Sequence, residues 1–180
     1  MPIKHFDWDP RERINEVKSQ LAKLPVIVGN TALNHFLNNF KTESWEGDKW
    51  KKRSNWSTRD SSNSILNASG ILLRSLTAHT SGANVKVFVK APADKYADIH
   101  NTGGTIIIPA NKKTEKWAWR MFMMAKLGSE KAFYKAIALR MRSGKSMSVK
   151  IPKRKFIGES EKLNRKIQNK WDQFLESKFK

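Results

Sequence analysis

The sequence predicts an α+β fold in which a small antiparallel β-sheet is packed by N-terminal and C-terminal helices, with an inserted basic helical segment. Three observations support this class. Both ends of the chain carry apolar residues at helical spacing, residues 85–90 alternate as a strand does, and two short apolar segments, 105–109 and 147–151, flank a helical stretch. The length of 180 residues fits one domain over residues 1–180, within which residues 111–145 form the insertion.

Two helices are predicted at the start of the chain. Asp9 is a suitable N-cap and Pro10 is tolerated in a first turn, so a helix begins here and ends or kinks at Pro25. A second helix continues to Phe40. Each has an apolar stripe, and we expect both helices to pack on the core or on each other. The stripes are Ile14, Val17, Leu21 and Leu24 in the first helix, and Leu33, Phe36, Leu37 and Phe40 in the second.

Residues 41–64 show no regular period and predict a long loop. Trp45, Trp50 and Trp56 are scattered there among basic and small polar residues. We interpret these tryptophans as anchors that hold the loop on the body or on a neighbouring subunit. The alternative is that they stack on single-stranded nucleic acid, helped by the basic residues beside them.

A β-hairpin is predicted in the middle of the chain. Residues 72–79 follow Gly70 as a first strand, and residues 85–90 place Val85, Val87 and Val89 on one face of a second. The segment between them has the composition of a turn, and we expect a hairpin with a longer loop.

The second half of the chain predicts paired strands on either side of two helices. A short helix over residues 93–100 precedes a strand over 105–109, which we expect to pair with a strand over 147–151. Residues 111–142 lie between these strands and have helical spacing, with Ser129 as the N-cap of the second of their helices.

The final helix has the clearest pattern. Ser160 is its expected N-cap, and Glu161 lies in its first turn. Its apolar stripe consists of Leu163, Ile167, Trp171, Phe174 and Phe179.

Positive charge is concentrated in one block. The chain has a formal net charge of +19, and residues 111–155 account for +12 of it, with fourteen Lys or Arg and two Asp or Glu. Such a block attracts phosphate backbones or an acidic protein over about 8–10 Å at physiological salt. The candidate partner-facing or DNA-facing residues are Lys112, Lys113, Lys116, Trp117, Trp119, Arg120, Arg140, Arg142 and Lys145.

The sequence contains no catalytic or metal-binding pattern above background. The four histidines fall in four different predicted elements, and none are spaced as a helical metal pair. A nucleophile turn, a phosphate loop and cysteine are absent from the sequence, and only two carboxylates lie between residues 99 and 158. We therefore expect no enzymatic activity, no cofactor and no metal, and we interpret His100 as a hydrogen-bonded structural histidine at a helix end.

Neither a membrane span nor a signal peptide is expected. No segment approaches the roughly 20 apolar residues of a span, and the first eight residues lack an apolar signal core.

Four segments follow one another in a characteristic order. The first segment is the predicted helix end at residues 36–40, followed by the tryptophans at 45 and 50. The second is Ser-Gly-Ile-Leu-Leu-Arg-Ser-Leu at Ser69–Leu76, and the third is Tyr-Ala-Asp-Ile-His-Asn-Thr-Gly at Tyr96–Gly103. The fourth is Ile-Pro-Lys-Arg-Lys-Phe-Ile-Gly at Ile151–Gly158. In this order they resemble the phage virion morphogenesis family, the tail-completion proteins.

This resemblance implies an α+β fold and a non-enzymatic role late in virion assembly, at the neck or the head-proximal end of the tail. It also implies rings, often six-fold. Residues 105–150 are longer and more basic than the family's minimal form, so no role is carried over to them. The motif residues are assigned structural roles, and they are Gly70, Tyr96, Ile99, His100, Gly103, Pro152, Arg154, Phe156 and Gly158.

The leading hypothesis is a structural connector that forms a ring in a phage particle. Its expected partners are copies of itself, other neck, connector or tail proteins, and genomic DNA in the lumen, with no membrane. It would be found in the virion after assembly in the host cytoplasm. The alternative is a nucleic-acid-binding module that uses residues 111–155.

Overall fold

The computed structural model describes residues 9–52, 64–67, 69–126 and 128–179, so Trp56 lies outside the described residues. The helices are α1 Pro10–Leu21, α2 Leu24–Thr42, α3 Ile71–Ser75, α4 Asp94–Thr102, α5 Lys112–Met124, α6 Gly128–Arg142 and α7 Glu161–Phe179. The strands are β1 Ser44–Trp45, β2 Asp48–Lys49, β3 Leu76–Ser81, β4 Asn84–Val89, β5 Gly104–Ile108 and β6 Met147–Ile151.

The predicted α+β class is confirmed. The described strands pair as three two-stranded antiparallel sheets, β1 with β2, β3 with β4 and β5 with β6, and helices flank them. Helix α2 is the central element, because both strands of the β3–β4 hairpin and helix α7 pack against it. The helix and the hairpin lie close together at Gly29 of α2, where a Cβ atom would be in ordinary van der Waals contact with the side chain of Val85, at 3.4 Å.

The first helix does not pack as expected. The Asp9 carboxylate caps α1 as predicted, accepting a hydrogen bond from the Arg11 backbone at 2.8 Å. However, α1 buries none of its residues, and Ile14 of its apolar stripe is 52% exposed. The helix also ends before Pro25. This proline lies in the first turn of α2, where a backbone N–H would have no partner within the helix, so the missing N–H group of proline costs no hydrogen bond.

Two local predictions are corrected. The first half of the predicted strand over residues 72–79 is helix α3, because a short apolar run fits a helical turn and a strand equally well. The β3–β4 hairpin has a two-residue loop instead of a longer one, since Ser81 pairs with Asn84. Gly82 provides the positive φ angle, +57°, that such a tight loop requires.

The predicted long loop is partly structured. Residues 44–49 form the small β1–β2 hairpin, and the two described tryptophans pack on the body. Trp45 stacks on Phe36 with ring centroids 6.2 Å apart, while Trp50 is buried and meets Phe40 edge-on at 5.6 Å. This packing agrees with the anchor interpretation for these two residues.

The predicted insertion is present as a β5–α5–α6–β6 arm. The β5–β6 ladder runs from the pair Gly104–Ile151 to the pair Ile108–Met147, which confirms the predicted pairing of these strands. Helix α5 begins with a capping box between Asn111 and Thr114. Helix α6 begins at Gly128, one residue before the predicted cap.

The arm has a hydrophobic core of its own. Its buried residues come from α5 and α6, with Ala125 between them, and the body core is built from α2, α3, α4, β3 and the loops between them. The buried residues of the arm core are Ala118, Ala125, Tyr134, Ile137, Ala138 and Met141. The largest members of the body core are Phe40, Trp50, Leu72 and Phe156.

Candidate functional site

The segments Tyr96–Gly103 and Ile151–Gly158 lie against each other and form what we call the motif junction. Beyond the Gly104–Ile151 end of the β5–β6 ladder, the backbone N–H of Arg154 donates to the carbonyl of His100, near the end of α4, at 2.8 Å. The side-chain oxygen of Asn101 then accepts from two successive N–H groups, those of Phe156 at 2.9 Å and Ile157 at 3.2 Å. The end of α4 is therefore bonded directly to the chain that leads into α7.

Gly103 makes this approach sterically feasible. Its φ is +77° and its ψ is 166°, a backbone conformation that is essentially restricted to glycine. A Cβ atom at this position would lie 2.8 Å from the backbone nitrogen of Lys153, well inside contact distance. A side chain would thus strain the turn and push the two segments apart.

Two buried side chains, Phe156 and Arg154, hold the second segment on the body. Phe156 is fully buried and packs on Phe40 with ring centroids 5.2 Å apart. Arg154 is also buried, and its Nε donates to the carbonyl of Lys51 at 3.0 Å, while Nη2 contacts the carbonyl of Lys52 at 3.4 Å. The guanidinium therefore bonds to two backbone carbonyls of the segment that follows β2.

Two further side chains bond to the backbone of this segment. The indole Nε1 of Trp50 donates to the carbonyl of Lys155 at 2.9 Å, and the amide Nδ2 of Asn39 donates to the carbonyl of Phe156 at 3.3 Å. Both donors come from the first fifty residues. The motif junction thereby connects three distant parts of the chain.

His100 does not have the predicted hydrogen bond. Its Nδ1 atom is buried and has no hydrogen-bond partner among the described residues, while its ring meets Tyr96 edge-on at 6.0 Å. Burial, and then the nearby positive charge of Arg154, lower the pKa of His100 below the ordinary 6.5. The imidazole thus packs as a neutral ring.

The other motif residues also lie in the backbone framework. Gly70 precedes α3 with φ +67°, and Gly158 has φ +143° just before α7. Ile99 is half-buried and lies against Gly104, and Pro152 is half-buried between β6 and Arg154. None of these positions presents a reactive group.

The second candidate surface is the exposed face of α5, which we call the α5 stripe. Residues 113, 116, 117, 120, 123 and 124 recur at helical spacing and all are exposed. The stripe comprises Lys113, Lys116, Trp117, Arg120, Met123 and Met124. Met123 is 76% exposed and Met124 is 63% exposed, which is unusual for side chains of this kind.

The remaining candidate residues of the arm are distributed differently. Trp119 lies half-buried in the arm core, edge-on to Phe122 at 5.7 Å. The guanidinium of Arg140 donates to the carbonyl of Ser146 through two nitrogens and closes the loop before β6. Arg142 approaches Glu115 at 4.0 Å, while Lys112 and Lys145 are exposed at the ends of the helices. The structure therefore brings only part of the predicted basic set together.

The comparison with protein families is decisive for this chain. A sequence model described as the phage virion morphogenesis family matches residues 27–176. The chain belongs to the phage virion morphogenesis family. Comparisons with curated proteins and with solved structures returned no match.

Membership of the phage virion morphogenesis family supports a structural or assembly role in the phage virion and an association with the virion. The matched range contains both segments of the motif junction and the whole arm. Among the described helices, none combines the length and the apolar character that a membrane crossing needs. Within the same residues, no group of three or more His, Asp or Glu could hold a metal ion.

A buried polar cluster escaped the sequence analysis. The Ser160 hydroxyl, which caps α7 as predicted, accepts from the backbone N–H of Leu163 at 3.0 Å and donates to the carboxylate of Glu46. Its proton is thus committed, so Nε2 of His35, 2.9 Å away, must be the donor to Ser160. Nδ1 of His35 then faces Lys166 Nζ at 3.5 Å as an acceptor.

This cluster has the composition of a hydrolase triad but not its geometry. The carboxylate of Glu46 bonds to the hydroxyl instead of the imidazole, and Ser160 is only 4% exposed. Burial, followed by the charge of Lys166, lowers the pKa of His35 below 6.5, although Glu46 acts in the opposite direction. The cluster joins α2, the β1–β2 turn and α7 through these hydrogen bonds.

Proposed function

We propose that the chain is a tail-completion or neck connector that acts without catalysis at the head-proximal end of the phage tail, as a ring. Family membership supports the assembly role. The observation that carries the finer proposal is the arm, a helical hairpin joined to the body through the β5–β6 ribbon and the motif junction. Its α5 stripe is exposed, although the ring of Trp117 also meets Tyr134 edge-on at 6.0 Å. A connector needs such a rigid body with surfaces left for its neighbours.

The proposed partners are further copies of the chain, other neck, connector or tail proteins, and genomic DNA in the lumen. We propose six copies in the ring, because proteins of this kind often form six-fold rings. The concentration of positive charge in the arm supports a position near DNA or near acidic neighbours. No membrane is part of the proposal.

Imaging of intact particles tests this proposal. A phage that lacks the gene should produce heads and tails that fail to join, or tails with an aberrant head-proximal end, and the gene supplied in trans should restore them. In restored particles a tagged protein should be located at the head–tail junction. Location elsewhere in the particle, or normal particles without the gene, would overturn the proposal.

The α5 stripe also favours a second candidate function, binding of nucleic acid. Lys113, Lys116 and Arg120 are exposed on one face, with Trp117 between them. Cations beside an exposed aromatic ring are typical of surfaces that bind single strands. Affinity measured against salt concentration decides this, because phosphate contacts give an affinity that falls steeply as salt rises. Absence of binding to DNA and RNA at low salt would remove this candidate.

A further inference from the structure

Helix α1 is an amphipathic helix whose apolar face is buried by none of the residues that the structure describes. Ile14 is 52% exposed, Leu21 is 40% exposed, and Val17 lies on the same face between them. Glu12, Glu16 and Ser19 lie around the opposite side of the helix. A short helix with an exposed apolar stripe is unstable alone in water and gains most of its stability from a surface that covers the stripe.

The connection between α1 and α2 directs α1 away from the body. Ala22 has φ −61° and ψ −22°, and Lys23 has φ −84° and ψ −19°, both helical values. The N–H of Lys23 donates back to the carbonyl of Gln20 in α1 at 3.0 Å, and the carbonyl of Lys23 accepts from Ile27 of α2 at 3.2 Å. The chain therefore extends the line of α2 with a bend at Pro25, and α1 does not fold back as a hairpin would.

An open apolar groove lies at the root of this projecting helix. It has a volume of about 340 Å³ and lies between the first turns of α2 and the middle of α7. Its apolar lining is Leu24, Ile27, Val28, Ile167 and Trp171. We call it the α2–α7 groove. It continues the packed cluster of Ala32, Phe36 and Leu163, so its floor is held by buried residues.

We propose that α1 of one copy binds in the α2–α7 groove of a second copy. This inference rests on the proposed ring and specifies how neighbouring copies join. The two surfaces match in length, because Ile14 to Leu21 and Asn164 to Trp171 each span two helical turns, about 10 Å. An amphipathic helix that lays its apolar face in a hydrophobic groove is a common mode of recognition.

Charge favours a second copy as the occupant at this end of the molecule. Residues 1–50 carry seven Lys or Arg and seven Asp or Glu, a net charge of zero, whereas residues 111–155 carry +12. Helix α1 is itself neutral, with three Lys or Arg and three Asp or Glu over residues 9–21, and α7 carries five Lys or Arg and three Asp or Glu, a net charge of +2. Two copies that meet through α1 and the α2–α7 groove therefore place a neutral helix on a weakly positive wall, whereas a contact between two arms would be opposed by repulsion.

The contact also has the symmetry that a ring needs. The donor surface, α1, and the acceptor surface, the α2–α7 groove, are different patches on the same chain. Such a head-to-tail contact lets each copy bind two neighbours, and it closes into a ring when the rotation between copies permits. A two-fold exchange of α1 helices between two copies would use the same contact.

Cysteine cross-linking tests the inference, since the natural chain contains no cysteine. The test variant carries Ile14→Cys on the apolar face of α1 and Gln168→Cys at the rim of the groove. The matched control carries Ser19→Cys on the opposite face of α1 together with Gln168→Cys. All three positions lie on exposed or half-exposed surface, and equal far-UV circular dichroism and Tm should show that both variants fold.

Both variants are treated with a short bis-maleimide, in purified particles and as concentrated purified protein. We expect the test variant to give dimers and higher cross-linked species at a yield several-fold above that of the control. Dimers alone, at the same excess, would support the two-fold form of the contact. Equal yields, or cross-links to a different protein or within one chain only, in both preparations would overturn the inference.

The same samples separate this inference from the proposed function. If the protein is located at the head–tail junction but the test variant shows no preferential cross-link, the connector stands and the α1 contact is wrong. If the protein is absent from particles but the purified chain cross-links preferentially through Ile14→Cys, the contact stands and the connector is wrong.

Discussion

The side-chain oxygen of Asn101 accepts a hydrogen bond from the backbone N–H of Phe156 at 2.9 Å. Its second bond, to Ile157, means that one carboxamide satisfies two neighbouring donors beside the body core. Replacement by Ala would leave both N–H groups unpaired, and we expect Asn101→Ala to lower the free energy of unfolding by about 1–3 kcal/mol. Chemical denaturation measures this. The control Asn34→Ala, at an exposed position of α2, should stay within about 0.5 kcal/mol of the natural chain.

Gly103 is expected to tolerate no side chain. Gly103→Ala combines the strain of a glycine-only backbone conformation with a Cβ atom 2.8 Å from the backbone of Lys153, and should cost about 3 kcal/mol or more. Gly144 has a similar φ of +74° but an open surrounding, so Gly144→Ala should cost only about 1–2 kcal/mol. Thermal and denaturant unfolding compare the two. Equal costs would show that the close contact has no effect.

The arm is expected to be dispensable for folding of the body. Replacement of residues 109–146 by Asn-Gly would join Ile108 to Met147 through a two-residue hairpin loop, since these residues already pair. Of the arm residues that the structure describes, none belongs to the buried body core, so the shortened protein should still fold and should unfold in one cooperative transition. Circular dichroism and limited proteolysis check this result. A shortened chain that stays unfolded would show that the insertion belongs to the same folding unit.

Stability is expected to fall in mild acid. The folded-state pKa values of His35 and His100 are lowered, so the unfolded chain takes up protons first as the pH decreases. The contribution of the neutral rings is complete above pH 6.5 and is lost as the pH falls from 6.5 through their lowered pKa values. Denaturant unfolding at a series of pH values measures the slope. The double variant His35→Gln, His100→Gln should be less stable at neutral pH but should show a flatter slope below 6.5.

Neutralising the α5 stripe should weaken any binding to DNA. If Lys113, Lys116 and Arg120 contact phosphates, their triple replacement by Gln should reduce the slope of log affinity against log salt by about 2–3. The matched control replaces three exposed lysines, Lys18 of α1, Lys23 between the two helices and Lys41 of α2. Fluorescence anisotropy with a labelled oligonucleotide provides the measurement. The same loss in both triple variants would indicate attraction by net charge alone.

The sequence predicted the elements that have a long periodic pattern of apolar residues or a recognisable cap or partner strand. The stripe of α2, the β5–β6 pairing around two helices and the Ser160 cap all follow from spacing and residue type. Helix α3 was missed because five residues are too few to distinguish a helical from an alternating pattern.

The site was less accessible from sequence, because its contacts join distant parts of the chain. Asn101 was passed over, although it lies within a recognised motif, because its partners lie fifty-five and fifty-six residues away. The cluster of His35, Glu46 and Ser160 likewise forms only after α7 packs on α2. The unpartnered face of α1 could not be foreseen either, since its stripe has the pattern of a packed helix.

The ribbon that carries the arm also determines how the arm is held under tension. Both strands leave the body at the same end, beside Gly104 and Ile151, and enter the arm at the other, at Ile108 and Met147. A pull on the arm therefore acts along two peptide chains in parallel, while the hydrogen bonds of the ladder only keep them aligned. The load passes to the turn at Gly103 and to the anchor at Arg154. The arm is therefore attached through two strands, and the force that it withstands depends on how firmly the body holds the two strand ends.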